Sequence, residues 1–233
     1  MNILIACEES QRVCNAFRAR GYEAYSCDII DPSGGHPEWH IKDDVSNYLE
    51  PIHGRIDFLT MDGQVHEIYK WDLIIAHPPC TYLTTTGNRW FNVEQYGEKA
   101  LERIKLREEA KAFFMMFINS SCKHVAVENP IGVMSTAFRK PDQIIQPWWF
   151  GDAAEKRTCL WLKGLPPLTK TKVVDPANKK EFESGKKMSA WYYETSLLPK
   201  NQRAAARSKT FPGFAEAMAT QWGFYLSSLE ENK

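Results

Sequence analysis

Apolar residues recur along this chain in two rhythms. The opening run, residues 2–7 (NILIAC), is short, continuous and rich in branched side chains, as in a strand covered on both faces. An amphipathic stretch follows from about Ser10 to Arg20, with Val13, Ala16, Phe17 and Arg20 at helical spacing and Gly21 as its stop. Residues 22–27 (YEAYSC) read as a second strand ending at Asp28. A strand, a helix and a strand in this order predict a parallel sheet. Beyond a Pro- and Gly-rich loop over 31–40, the run 41–45 passes through the paired acids Asp43 and Asp44. Residues 58–68 alternate around Asp62-Gly63, which predicts a hairpin inserted over about 56–70.

The second half continues the alternation. Residues 73–76 have the pattern of a buried strand and run into His77-Pro78-Pro79-Cys80, where two prolines force the chain out of the ladder. The longest helix is expected from about Gly97 to Asn119, with Phe113, Phe114, Met116 and Phe117 as core. Residues 125–127 form another strand that ends at Glu128-Asn129-Pro130, and strand-like runs recur near 144–150 and 158–162. Residues 164–206 are looser, and 214–222 reads as a closing amphipathic helix. The pattern is that of an α/β fold on a mostly parallel sheet.

At 233 residues with 43% hydrophobic and 25% charged positions, the chain supports one sizeable core and is not disordered in composition. The longest apolar run, about 113–118, is too short to span a bilayer. The N-terminus has neither a basic start nor a cleavage site, so a cytoplasmic protein with no membrane partner is expected. Six cysteines without a C-x-x-C pair are expected to be thiols, with no metal site. The net charge of zero hides a division: residues 156–209 hold 13 Lys and Arg against 4 Asp and Glu, an excess of +9, and the remainder carries −9. Trp161, Trp191, Tyr192 and Tyr193 lie among those cations, a mixture suited to phosphates and bases.

In open α/β sheets, ligands bind beyond the carboxyl ends of the strands. Candidate groups at such ends are residues 8–11, Asp28, Cys80 and Glu128. Singly, each has a plain structural explanation: a turn cap, a small buried thiol, a surface acid. Jointly they suggest chemistry, because a thiol and a carboxyl group are each set beside proline at successive strand ends. Cys80 and Glu128 are separated by 48 residues containing a long helix, and a right-handed crossover brings both to one sheet edge. Such a pair can attack and protonate an electron-poor ring.

Pro78-Pro79-Cys80 followed by Glu128-Asn129-Pro130 resembles the nucleophile loop and Glu-Asn motif of the DNA cytosine-C5 methyltransferases. Other positions agree with that family. Asp28 resembles the acid that holds the ribose of S-adenosylmethionine, with Ile29 beside it, and Asp43 or Asp44 the acid near the adenine amino group. Lys156-Arg157-Thr158 is similar to the family's basic motif, and the segment from Thr210 and Phe211 to Ala219 to its last motif. The resemblance implies a class I methyltransferase (Rossmann-like) fold with helices on both faces of the sheet and a small basic lobe. Residues 1–163 plus 207–233 would form the catalytic domain and 164–206 the target-recognition lobe. Cys80 would add to cytosine C6, Glu128 would bond N3 and the exocyclic amine, Asn129 would support the Glu128 loop, and Arg157 would meet the base carbonyl or a phosphate. The cofactor would lie against Cys7, Glu8, Ser10, Gln11, Asp28, Ile29, Asp43, Asp44, Pro78, Thr210 and Phe211. Double-stranded DNA, with its cytosine flipped out, would meet Lys156, Lys186, Lys187, Trp191, Arg203, Arg207 and Lys209. Small enzymes of this pattern resemble those of bacteriophages, which implies a bacterial or phage-infected cytoplasm.

The chain also departs from the family. Ala6-Cys7-Glu8-Glu9-Ser10-Gln11 replaces a glycine-rich turn; there the acids could contact the methionine ammonium and Ser10 could cap the next helix. Ala76-His77 replaces glycines, Thr81 replaces glutamine, and Ser208-Lys209 stands where a small neutral pair is usual. A lysine there would admit a cofactor carrying an anionic group in place of methyl, or else would meet a phosphate. The alternatives are an amino-methyltransferase acting on cytosine N4 or adenine N6, a degenerate relative that only binds DNA, and an enzyme that takes RNA.

Overall fold

The computed structural model describes residues 1–176, 179–185 and 187–231. Its central sheet grows from the predicted runs. In chain order the elements are β1 (Asn2–Ala6), α1 (Arg12–Arg18), β2 (Glu23–Asp28), β3 (His40–Lys42), β4 (Ile56–Leu59), β5 (Val65–Ile68), β6 (Leu73–Ala76), α2 (Val93–Tyr96), α3 (Glu98–Asn119), β7 (Val125–Pro130), α4 (Met134–Ala137), β8 (Gln143–Ile145), β9 (Thr158–Lys163), β10 (Lys179–Glu181), β11 (Lys187–Ser189), α5 (Ala190–Leu197), α6 (Lys200–Ser208) and α7 (Pro212–Glu231). Seven strands form one sheet in the order β3-β2-β1-β6-β7-β9-β8. The first five of that order are parallel, β9 runs antiparallel to β7, and β8 antiparallel to β9. The chain direction of assembly reverses between β1 and β6, as in Rossmann-like sheets, and that is where such folds open a ligand crevice.

Alternation along the central strands sorts the core into two layers. Ile3 and Ile5 of β1 and Leu73 and Ile75 of β6 pack with Val13 and Phe17 of α1 and Phe214, Met218 and Trp222 of α7. Leu4, Ala6, Ile74 and Ala76 face the other way, onto Phe114 and Phe117 of α3 and Phe58 of the hairpin. Phe17 and Phe114 are fully buried, one in each layer, and such burial contributes about 1.5–3 kcal/mol apiece. The inserted hairpin is β4 and β5, antiparallel about Gly63, whose φ of 86° makes the turn.

Some boundaries differ from the expectation, each for a local reason. Helix α1 starts at Arg12 because Gln11 holds a left-handed φ of 54°. The run 41–45 leaves the sheet after Lys42, since Asp44 accepts from the Ser46 N–H and caps a 3-10 turn at Val45–Tyr48. Residues 144–150 give only the end of β8 before Pro147 opens a second 3-10 turn. Trp161 is not an exposed ring among lysines: it sits at 0% exposure in β9 and donates to the Arg139 carbonyl. Among the described residues no helix is long and apolar enough to cross a membrane.

Residues 164–206 contain the antiparallel pair β10–β11 and most of α5 and α6. Their aromatic rings already carry cations of this chain. Arg207 lies 4.0 Å from the centre of the Tyr192 ring, and Lys180 5.6 Å from that of Tyr193.

Candidate active site

Strands β1, β6 and β7 are adjacent and parallel, with Ala6 opposite Ala76 and Ala76 opposite Val127. Their carboxyl ends therefore bring residues 7–8, His77 and Glu128 into a row. The β1 exit is a tight loop without glycine. Cys7 and Gln11 nevertheless adopt φ of 58° and 54°, backbone that glycine takes most easily. The glycine in contact with it comes from another loop: a Cβ on Gly34 would lie 2.5 Å from the Gln11 Cβ and 2.7 Å from the Ser10 carbonyl oxygen. Loop 31–36 can thus lie directly on this turn, held by the Gln11 amide, which donates to the His36 carbonyl (2.8 Å) and accepts from its N–H (3.1 Å).

That packing corrects several expected roles. Glu8 does not face a ligand: its Oε1 accepts from the Val13 N–H (2.7 Å) and its Oε2 from the Cys14 N–H (3.1 Å), so the buried carboxylate caps α1. Ser10, expected as the cap, is buried without making that bond, and Gln11 is fully buried as a tie between loops. Cys7 is half-buried; burial pushes its thiol far up, with the charges of Asp28 and Asp44 adding to the effect. Those two acids therefore border the same space as the β1 exit. Asp28 is half-buried and raised by desolvation, against which the N–H groups of Ile30, at 3.4 Å, and Ile29 act, while the Ile29 side chain is 72% exposed beside it. Asp43 is exposed and held ionised by the Tyr48 hydroxyl at 2.6 Å.

On the other side of the crevice two loops are stitched together. The Asn129 Nδ2 donates to the Pro78 carbonyl (2.8 Å), the Val133 N–H to the Leu83 carbonyl (2.8 Å), and Thr84 bridges Gly132. Asn129 thus ties the loop after β6 to the end of β7 rather than supporting the Glu128 loop alone. Cys80 is exposed, unlike the other five cysteines. Desolvation of its sulfur and the negative charge of Glu128 raise its thiol, and Lys156 opposes them.

Glu128 is nearly buried, with its side chain 13% exposed, and its Oε2 lies 3.2 Å from the His77 Nδ1. Burial pushes this carboxyl up, but the bond from His77 and the charges of Lys156 and His77 outweigh it, and the group lies below its ordinary value. Sequence reasoning missed this pairing, although His77 before Pro-Pro was a visible departure. Lys156 was expected on the DNA face. It lines the same small cavity as Glu128, where its charge acts on Glu128 and Cys80, and its Nζ donates to the Arg207 carbonyl at 2.8 Å. Lys156→Gln should leave Cys80 alkylation by iodoacetamide severalfold slower at neutral pH, because the charge favouring the thiolate is gone. An unchanged rate would show that Lys156 does not govern the thiol.

Beside Glu128 lies a small cavity of about 10 Å³, lined by Lys156, Thr158, Thr210, Phe211 and Phe214 among others. It holds about one water. Thr210 is buried, its carbonyl accepting from Arg12, and Phe211 packs 5.2 Å from the Trp191 ring.

The remaining basic positions are not one free surface. Arg157 is exposed and makes no hydrogen bond or ion pair with a described residue. Lys187 pairs with Glu181 at 3.3 Å, Arg203 donates to the Leu198 carbonyl, and Arg207 to the Thr195 hydroxyl. Lys209 reaches Ser33 of loop 31–36 at 3.0 Å. Lys186 lies outside the described residues. Compared with protein-family models and with curated proteins, the chain matches none at a significant level.

Proposed function

We propose that this chain is an S-adenosylmethionine-dependent DNA methyltransferase that acts on cytosine C5 through a Cys80 adduct at C6. One observation carries the reading: an exposed thiol and a shielded carboxyl, on loops stitched to each other, are close enough for the Glu128 charge to raise the Cys80 thiol. The cofactor's ribose and adenine would lie at the Asp28 end of the sheet edge, where a half-buried carboxylate is bonded only by neighbouring backbone N–H groups and Ile29 offers exposed apolar surface. Asp28, Ile29, Asp43, Asp44 and Thr210 would hold it; Glu8, spent on α1, would not. When bound, S-adenosylmethionine supplies an electrophilic methyl group. The protein's own part is to add the Cys80 thiolate to C6, to hold N3 and the exocyclic amine at Glu128, and to keep both loops in register through Asn129.

Mapping modified bases in DNA from cells that express the chain tests this reading. 5-Methylcytosine is expected; methyl on cytosine N4 or adenine N6 would favour the amino-methyltransferase, and no modification would sink both. The narrow space beside Glu128 favours a second reading, a DNA-binding relative without turnover. Both readings place phosphate on the lobe. Lys180→Glu with Lys200→Glu, both exposed, should weaken DNA binding and reduce the salt slope of log K by about 1 per cation lost. An unchanged slope would show that these cations do not touch DNA.

A further inference from the structure

We infer that helix α6 reads bases beside the target cytosine, lying in the major groove with Asn201 and Gln202 toward adenine and Ala205 toward a thymine methyl group. This inference rests on the DNA reading above and names what selects the sequence. Helix α6 buries none of its residues. At about 100° per residue its sides divide by chemistry. Lys200, Arg203 and Arg207 lie on one side, where Arg203 donates to the Leu198 carbonyl (2.9 Å), and Arg207 to the Thr195 hydroxyl (2.9 Å) and Tyr192 carbonyl (3.3 Å) of α5. The other side carries Asn201, Gln202, Ala205 and Ser208, all exposed. The Asn201 and Gln202 side chains have no hydrogen-bond partner among the described residues.

Charge and shape both favour a DNA duplex as the occupant of that free face. Residues 200–209 hold four cations and no acid, a match to the phosphates that line a groove. The run Ala204-Ala205-Ala206 keeps the helix slender, and the major groove, about 12 Å wide, admits an α-helix. Nine residues without a buried side make a marginal helix in water. The alanines and the bonds from Arg207 therefore maintain a shape that packing inside the protein does not use. The position of α6 is set by the candidate site. The Lys156 Nζ, from a residue lining the cavity beside Glu128, donates to the Arg207 carbonyl at 2.8 Å, which ties the last turn of α6 to the place where the cytosine would react. Asn201 and Gln202 lie about 8–9 Å back along the axis from Arg207, the rise of two or three base pairs. Asparagine and glutamine pair bidentately with adenine N6 and N7, and alanine meets the thymine methyl group, so A·T pairs within about three steps of the cytosine are selected.

Selection of bound DNA from a library of duplexes, each with one cytosine flanked by randomised pairs, tests this without turnover. Wild type should enrich A·T at one or two positions by about 5-fold or more each. Asn201→Ala with Gln202→Ala should level that enrichment. Affinity for unselected duplex, its salt slope and Tm should stay as in wild type, since alanine is the best helix former and no cation is lost. Gln202→Glu should move the preference at one position from adenine to cytosine, whose N4 amine donates to a carboxylate. Lys200→Gln should do the reverse, lowering the salt slope by about 1 with the base preference intact. Duplex RNA, whose deep and narrow major groove excludes a helix, should show no such selection, and the same preference there would overturn the inference. Wild type that binds the library without base preference, or with one that survives in the double alanine variant, overturns the inference and leaves the DNA reading standing. So does loss of self-association in that variant, which would make the face a contact between copies. Failure of wild type to bind any duplex removes both.

Discussion

Cys80→Ala is expected to abolish a covalent complex that the wild-type protein forms with duplex DNA containing 5-fluorocytosine in the presence of S-adenosylmethionine. The fluorine at C5 cannot leave as a proton does, so an enzyme that has added to C6 and transferred methyl stays bonded through sulfur. With no sulfur at position 80 there is nothing to form that bond, and methyl transfer should fall on the order of 10⁴-fold or more. No other cysteine can substitute, since Cys80 is exposed while Cys7 is half-buried and the remaining four are buried. Affinity for DNA should hardly change, because the substitution removes one small side chain and no cation. The pH dependence carries a sign. Desolvation and the Glu128 charge raise the Cys80 thiol above its ordinary value, so the thiolate is scarce at neutral pH. Trapping should therefore quicken as pH rises toward the titration of the Cys80 thiol. A wild-type protein that binds this DNA but never becomes resistant to denaturation is a binder without turnover, the reading that the narrow space beside Glu128 favours.

Much of the frame could be read from pattern. The runs that became β1, β6 and β7 are continuous apolar stretches, and only strands buried on both faces need that. The crossover from Cys80 to Glu128 followed from the long helix between them, and β6 and β7 do pair in parallel. What the pattern could not supply was direction at short range. Glu8 as a cap and Glu8 as a ligand group are the same letter in the same place. The choice depended on Gln11 taking a left-handed φ, which turns the first N–H groups of α1 back onto the carboxylate. Lys156 was counted as part of a basic surface, but it lies two residues before β9 and lines the same small cavity as Glu128, so its charge acts on the acid. Trp161 looked like a ring among cations because charge was counted along the chain, while burial follows the alternation of β9. His77 was legible only as a departure from a familiar motif; its bond to Glu128 requires the register of two strands to be known.

Gly132→Ala should injure both stability and chemistry, and it tests whether the two loops work as one unit. A Cβ at position 132 would lie 2.1 Å from the Leu83 carbonyl oxygen and 3.3 Å from the Thr84 Cα. The obstacle is backbone, so no side-chain rotation relieves it, and the loops must part. Parting them breaks the bond from the Val133 N–H to the Leu83 carbonyl and the bridge between Thr84 and Gly132. The movement reaches the core only through the buried Leu83 and Met134 beside these loops, so the loss of stability should be about 1–3 kcal/mol, a fall in Tm of roughly 2–12 °C for a chain of this size. Chemistry should suffer more than folding. A displacement of about 1 Å between a nucleophile and the group that polarises its target costs on the order of 10²-fold. Cys80 remains exposed, so its alkylation should persist or quicken while trapping on fluorinated DNA falls by that factor. Gly87→Ala is the control: it lies in the same stretch after Cys80, but its Cβ would meet only the Arg103 Nη2, at an ordinary 3.6 Å. That variant should melt and trap as wild type does. If Gly132→Ala also does so, the loops are not held by this contact, and the convergence of Cys80 and Glu128 must rest on the single bond from Asn129 to Pro78.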